Sequence, residues 1–88
     1  MREKINEEVS VILWYSAKQK KVAPHQLSWK GKDYMLGSVD FYHTYMEGQE
    51  RQHIFELVDR ESILWFRLRF NSANLHWTLE AVHDGLAN

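Results

Sequence analysis

Apolar and polar residues alternate along most of this chain, and the alternation is clearest in ILWFRLRFNSANLHWTLE, Ile63 to Glu80. Successive side chains of an extended strand point to opposite faces. A period of two therefore puts Leu64, Phe66, Leu68 and Phe70 inward on one strand, and Leu75, Trp77, Leu79 and Ala81 inward on the next. Between them Asn71-Ser72-Ala73-Asn74 is a polar turn. The same period places His53, Phe55 and Leu57 on one face of a strand from Arg51 to Val58. It also divides Val9 to Ser16 into Val9, Val11, Leu13 and Tyr15 on one side and Ser10, Ile12, Trp14 and Ser16 on the other. Apolar groups on both faces of that strand predict that it is central or covered.

Turn chemistry marks the remaining connections. Trp29-Lys30-Gly31-Lys32-Asp33-Tyr34 is a tight hairpin between aromatic-ended strands, with Gly31 supplying the positive φ of a short connection. Pro24 cannot donate to a ladder, so the strand around His25, Leu27 and Trp29 starts just after it or lies at an edge. Tyr34 to Tyr45 is long for one strand, and Gly37 near its start suggests a bulge or bend. Met46 to Glu50 and Asp59 to Ser62 are further turns, the first seven residues suit a short helical turn, and the last four fray. The chain thus predicts an all-β fold of about six antiparallel strands in meander order, forming a strongly bent sheet or a small partly open barrel.

Register follows from the turns. Pairing Phe70 with Leu75 sets Leu68 opposite Trp77 and Arg67 opposite Thr78. Pairing Val58 with Ile63 sets Phe55 opposite Phe66 and Ile54 opposite Arg67, with Trp65 between Glu56 and Glu80. Phe41 opposite Phe55 would bring His43 beside His53, a geometry able to give two ligands to a metal but with no third in view.

Length then limits the organisation. The chain has 88 residues, near the lower end of what sustains its own core, so residues 1–88 are read as a single domain. Four Trp, four Tyr and four Phe supply the large buried areas that such a small core needs. There is no Cys, which removes disulfides and thiolate metal sites and makes the cytoplasm the expected location. The longest apolar run, Val11 to Tyr15, is too short to span a bilayer, and no membrane partner is expected.

Charge adds a second candidate surface. The net charge is −1, yet Ser16 to Lys32 holds Lys18, Lys20, Lys21, Lys30 and Lys32 and no acid. Such a segment can follow phosphates, or simply be two solvated loops. The other candidate lies on the outer face of the last strands, where Ile54, Trp65, Arg67 and Arg69 have the composition of a protein interface. The same residues could stack a base and hold phosphate, or pair internally with Glu56 and Glu80. Catalysis is unsignalled: there is no Cys nucleophile, no glycine-rich phosphate loop and no serine in an elbow context, and no cofactor is implied.

The order of features from Pro24 and Trp29-Lys30-Gly31-Lys32-Asp33-Tyr34 to Leu75-His76-Trp77-Thr78-Leu79 and Asp84-Gly85 resembles a small bacterial β domain of uncharacterised role. That family is found alone or associated with proteins related to Y-family translesion DNA polymerases. The resemblance spans Val22 to Gly85 and implies a non-catalytic accessory domain linked to DNA repair. The expected function is an interaction module that holds a protein partner through Trp65, Arg67, Arg69 and Ile54. The alternatives are a nucleic-acid-binding barrel using the five lysines and an enzyme whose active site has no sequence signal.

Overall fold

A computed structural model describes residues 2–84. They form seven antiparallel strands: β1 Arg2–Glu8, β2 Ser10–Ser16, β3 Lys21–Trp29, β4 Lys32–Glu47, β5 Glu50–Asp59, β6 Leu64–Asn71 and β7 His76–Asp84. The order across the sheet is β1-β7-β6-β5-β4-β3-β2, a meander in which only the first strand departs from its sequence neighbour. The expected six strands become seven because the N-terminal residues form β1 rather than a helical turn. Its ladder to β7 runs from Arg2 opposite His83 to Glu8 opposite Thr78.

The sheet neither closes nor curls strongly into the expected barrel-like form. Its terminal strands β1 and β2 share no ladder; they follow one another in the chain through Val9, whose N–H donates to the Trp77 carbonyl at 3.0 Å. Among the described residues no helix is long and apolar enough to cross a membrane. The expected fraying of the last four residues lies outside the described part.

The inward set of β6 is as its period demands: Phe66 and Leu68 are fully buried, and Leu64 and Phe70 pack at the margin. Leu57, Phe55, Leu79 and Trp77 join them from the strands on either side. Leu27 of β3 completes the core, and Tyr34 of β4 meets Phe66 edge-on at 5.4 Å. A residue such as Phe66, removed wholly from water, contributes about 2–3 kcal/mol through burial alone.

Two turns differ from expectation by two residues, a shift that by itself keeps each side chain on its expected face. Asp59 accepts the N–H groups of Ile63 at 2.8 Å and Leu64 at 3.3 Å, so the β5–β6 turn is wider and Val58 lies opposite Trp65. Asn71 similarly accepts from Ala73, and Phe70 lies opposite Trp77. Leu75, expected inward, sits in this turn with φ 66° and is 69% exposed. A bulge between Arg67 and Leu68 then shifts β7, so that Val82 rather than Ala81 faces Phe66.

Strand β4 changes partners along its length, and this creates the site. Residues Lys32–Met35 pair with β3, whereas Leu36 onward pairs with β5. Gly37 lies at the change: a Cβ there would stand 3.2 Å from the Asp59 carbonyl oxygen, closer than a side chain comfortably allows. On the other strand Pro24, which has no N–H to give, lies within β3 beyond the last rung to β4 at Gln26–Met35. The β2–β3 hairpin and the second half of β4 therefore diverge.

Candidate functional site

The divergence opens a cleft of about 840 Å³. Phe55, Phe70 and Trp77 form its floor, with ring centroids 4.7 Å apart for Phe70–Trp77 and 5.6 Å for Phe55–Trp77. Leu13, Trp14 and Val22 of the hairpin line one wall, and Val39, Phe41 and Tyr42 of β4 the other. Most of these wall residues are substantially exposed, so the apolar surface continues from the floor out to solvent. The few polar groups at the margin include Lys21, Asp40 and His53. A concave, mainly apolar lining with sparse polar groups is the usual character of a recognition pocket.

His53 is held at the rim by a chain of hydrogen bonds. The Tyr42 hydroxyl lies 2.8 Å from Nδ1, Nε2 lies 3.1 Å from the Ser72 hydroxyl, and that hydroxyl reaches the Arg51 carbonyl oxygen at 3.4 Å. Every donor has an acceptor when the ring is neutral with its hydrogen on Nε2: Tyr42 donates to Nδ1, Nε2–H to Ser72 and Ser72 to Arg51. Burial, and secondarily the Arg51 charge, push the His53 pKa below its ordinary value of 6.5. The imidazole is thus a neutral, fixed wall at pH 7. Ser72 spends its hydroxyl hydrogen on a carbonyl, which suits a structural clamp.

The outer face of β5, β6 and β7 is finished within the molecule. Arg67 binds Glu56 through Nη1 and Glu80 through Nε at 2.8 Å, and Arg69 donates to the other oxygen of Glu80 at 2.9 Å. Burial opposes the Arg67 charge, but hydrogen bonds and attraction from Glu80 and Glu56 outweigh it and raise the pKa. Arg67, not Trp65, is the residue between the two glutamates. Trp65 is half-buried and meets His83 edge-on at 6.0 Å. Ile54, expected as an exposed contact, is 0% exposed, with His43 and Arg69 as its neighbours across the ladder.

The lysines also separate. Lys18 and Lys20 lie in the β2–β3 turn and Lys21 begins β3, while Lys30 and Lys32 flank the β3–β4 turn, roughly 26 Å away along the intervening strand. Lys30 and Lys32 are set over the rings of Trp29 and Tyr34, at 5.0 and 5.2 Å. One contiguous basic track is not formed. The histidine pair is likewise undone: His43 faces Ile54 and Thr44 faces His53, so the two imidazoles lie on opposite faces of the sheet. Among the described residues no three His, Cys, Asp or Glu side chains gather where they could hold a metal.

The cleft residues missed from sequence reasoning had one signal, the unexplained apolar content of both faces of Val9–Ser16. A covered strand was the expectation; instead β2 is an edge strand with Ile12, Leu13, Trp14 and Tyr15 exposed. No protein-family model, curated protein or solved structure matches the chain, so the cleft and the edge strand beside it are interpreted from their own chemistry.

Proposed function

We propose that the protein is a non-catalytic interaction module that receives an apolar side-chain cluster of a protein partner in the cleft between the β2–β3 hairpin and β4. The observation that carries this is the continuity of the aromatic floor of Phe55, Phe70 and Trp77 with exposed walls of Trp14, Val22, Phe41 and Tyr42. A small ligand would fill the cleft and leave the exposed rim wet, whereas a protein covers both. Arg67 and Arg69 act as framework, since their charges are already neutralised by Glu56 and Glu80. The neutral state of His53 suits an apolar anchor rather than a phosphate. The link to DNA repair rests on the resemblance of hairpin pattern alone.

Selection of peptides from a random library on the immobilised protein tests this. Peptides with aromatic or branched apolar anchors should be enriched and should lose binding to Val22→Glu, a change on the exposed wall of the cleft. Enrichment of peptides indifferent to Val22→Glu but sensitive to Trp65→Ala would return the site to the outer face. Tight binding of single-stranded oligonucleotide that weakens steeply with salt would favour the nucleic-acid alternative.

A further inference from the structure

We propose that β2 is a self-association strand, pairing edge to edge and antiparallel with β2 of a second copy across a two-fold axis near Leu13. This goes beyond the cleft: it concerns the free backbone edge of β2 and names what occupies it.

The two ends of the strand order are built differently. β1, Arg2–Glu8, carries five charged residues among its 7, the usual protection of an exposed edge against pairing. β2, SVILWYS, carries no charge, no Pro and no Gly. Its only irregularity is the shift between Ile12 and Leu13 in the ladder to β3. Four consecutive large side chains stay in water, with Ile12 55%, Leu13 42%, Trp14 57% and Tyr15 59% exposed. Because they alternate, both faces of the edge are apolar. A ligand resting on one face would leave the other wet, but an added strand extends both faces at once and satisfies the open row of N–H and C=O groups.

Charge selects the partner. Glu7 and Glu8 precede β2, and Lys18, Lys20 and Lys21 follow it. Antiparallel pairing of two identical strands brings the acidic start of one to the basic end of the other, and the symmetry supplies the match twice. With Leu13 on the axis, Ser10 faces Ser16, Val11 faces Tyr15, Ile12 faces Trp14, and Glu8 comes beside the turn that holds Lys18. Glu8 can respond: its carboxylate is largely exposed and lies 3.7 Å from His76 Nδ1. Glu7 is engaged with Trp29 Nε1 at 3.2 Å. Parallel pairing would set like charges together at both ends.

Sedimentation velocity of the full chain, from micromolar to millimolar, reads the association, and a thermal melt confirms that each variant is folded. Ile12→Lys places two ammonium groups near the axis and should weaken the dimer by at least a hundredfold, about the cost of two buried charges that lack partners. Glu8→Lys and Lys18→Glu should each weaken it by roughly tenfold, since each turns two attractions into repulsions, and the double exchange should restore it. A chain that stays monomeric to millimolar overturns the proposal, as does a dimer indifferent to Ile12→Lys or one that the double exchange fails to rescue. None of these three residues lines the cleft. Peptide binding at Val22 can therefore survive in a monomer, and its loss can occur in an intact dimer, so the two proposals fail separately.

Discussion

The outer face of β5–β7 and the cleft beside β2 contain similar kinds of residue, yet one is closed and the other open. On the outer face Arg67 and Arg69 share Glu56 and Glu80, and the neighbouring Ile54 is covered. Around the cleft, aromatic and branched side chains are exposed beside a strand edge that has no neighbour among the described residues. Composition favours the first as an interface, because Trp and Arg dominate binding energy where they are buried by a partner. Geometry favours the second, because a charge already paired has little left to give whereas exposed apolar area gains by being covered.

The comparison can be broken at its common support. Phe66 is fully buried beneath Tyr34 and belongs to the core that both faces share, so Phe66→Ala should lose about 3–5 kcal/mol in urea denaturation and abolish cleft binding with it. Arg67→Ala should come next. It removes the guanidinium that Glu56 and Glu80 share, and a loss of about 1–2 kcal/mol is expected after allowance for partial exposure of the cluster. Peptide affinity should stay unchanged. Gly37→Ala tests whether the divergence of β4 is fixed by the close approach to Asp59: a loss of about 1 kcal/mol, with altered amide shifts in Ser38–Tyr42, is the expected result.

Smaller effects sharpen the contrast. Tyr15→Ser on the exposed edge should move stability by less than about 0.5 kcal/mol while reducing self-association. For His53 the sign follows from its lowered pKa. The unfolded chain takes up a proton near 6.5 and the folded chain only at lower pH, so the stability due to neutral His53 is present above that value. It is lost as pH falls from 6.5 through the folded-state pKa. An NMR titration of the ring should show the depressed midpoint, and Tyr42→Phe, which removes the donor to Nδ1, should raise it.

Much of this architecture was legible in the residue pattern. The inward sets of β5 and β6 followed from period two, and the β3–β4 turn from Lys30-Gly31, both of which have positive φ. Turn lengths were less legible, since the Asp59 carboxylate widens one turn by hydrogen bonds that its spacing does not reveal. An error of two residues left the faces intact there, but an error of one in β4–β5 reversed His43 relative to His53. β1 was missed because REKINEE has no alternation to announce a strand; β7 supplies its ladder.

The candidate site was less legible still. The outer arginines were correctly placed on one face, but their saturation depends on Glu56 and Glu80 reaching them together, which is a fact of register. The cleft depends on β4 leaving β3 at Met35, with Gly37 and Pro24 at the parting; each was noted as a local irregularity, and only their meeting in space makes a cavity. The apolar content of both faces of β2 was read as burial within the fold, whereas β2 ends the strand order and leaves Ile12, Leu13, Trp14 and Tyr15 exposed.

The most direct measurement is amide shift mapping of the labelled protein saturated with a library-selected peptide. The expected result is perturbation at Leu13, Trp14, Val22, Phe41 and Tyr42 with Trp65, Arg67 and Arg69 unmoved. Shifts confined to Trp65, Arg67 and Arg69 would contradict it and restore the outer face as the recognition surface.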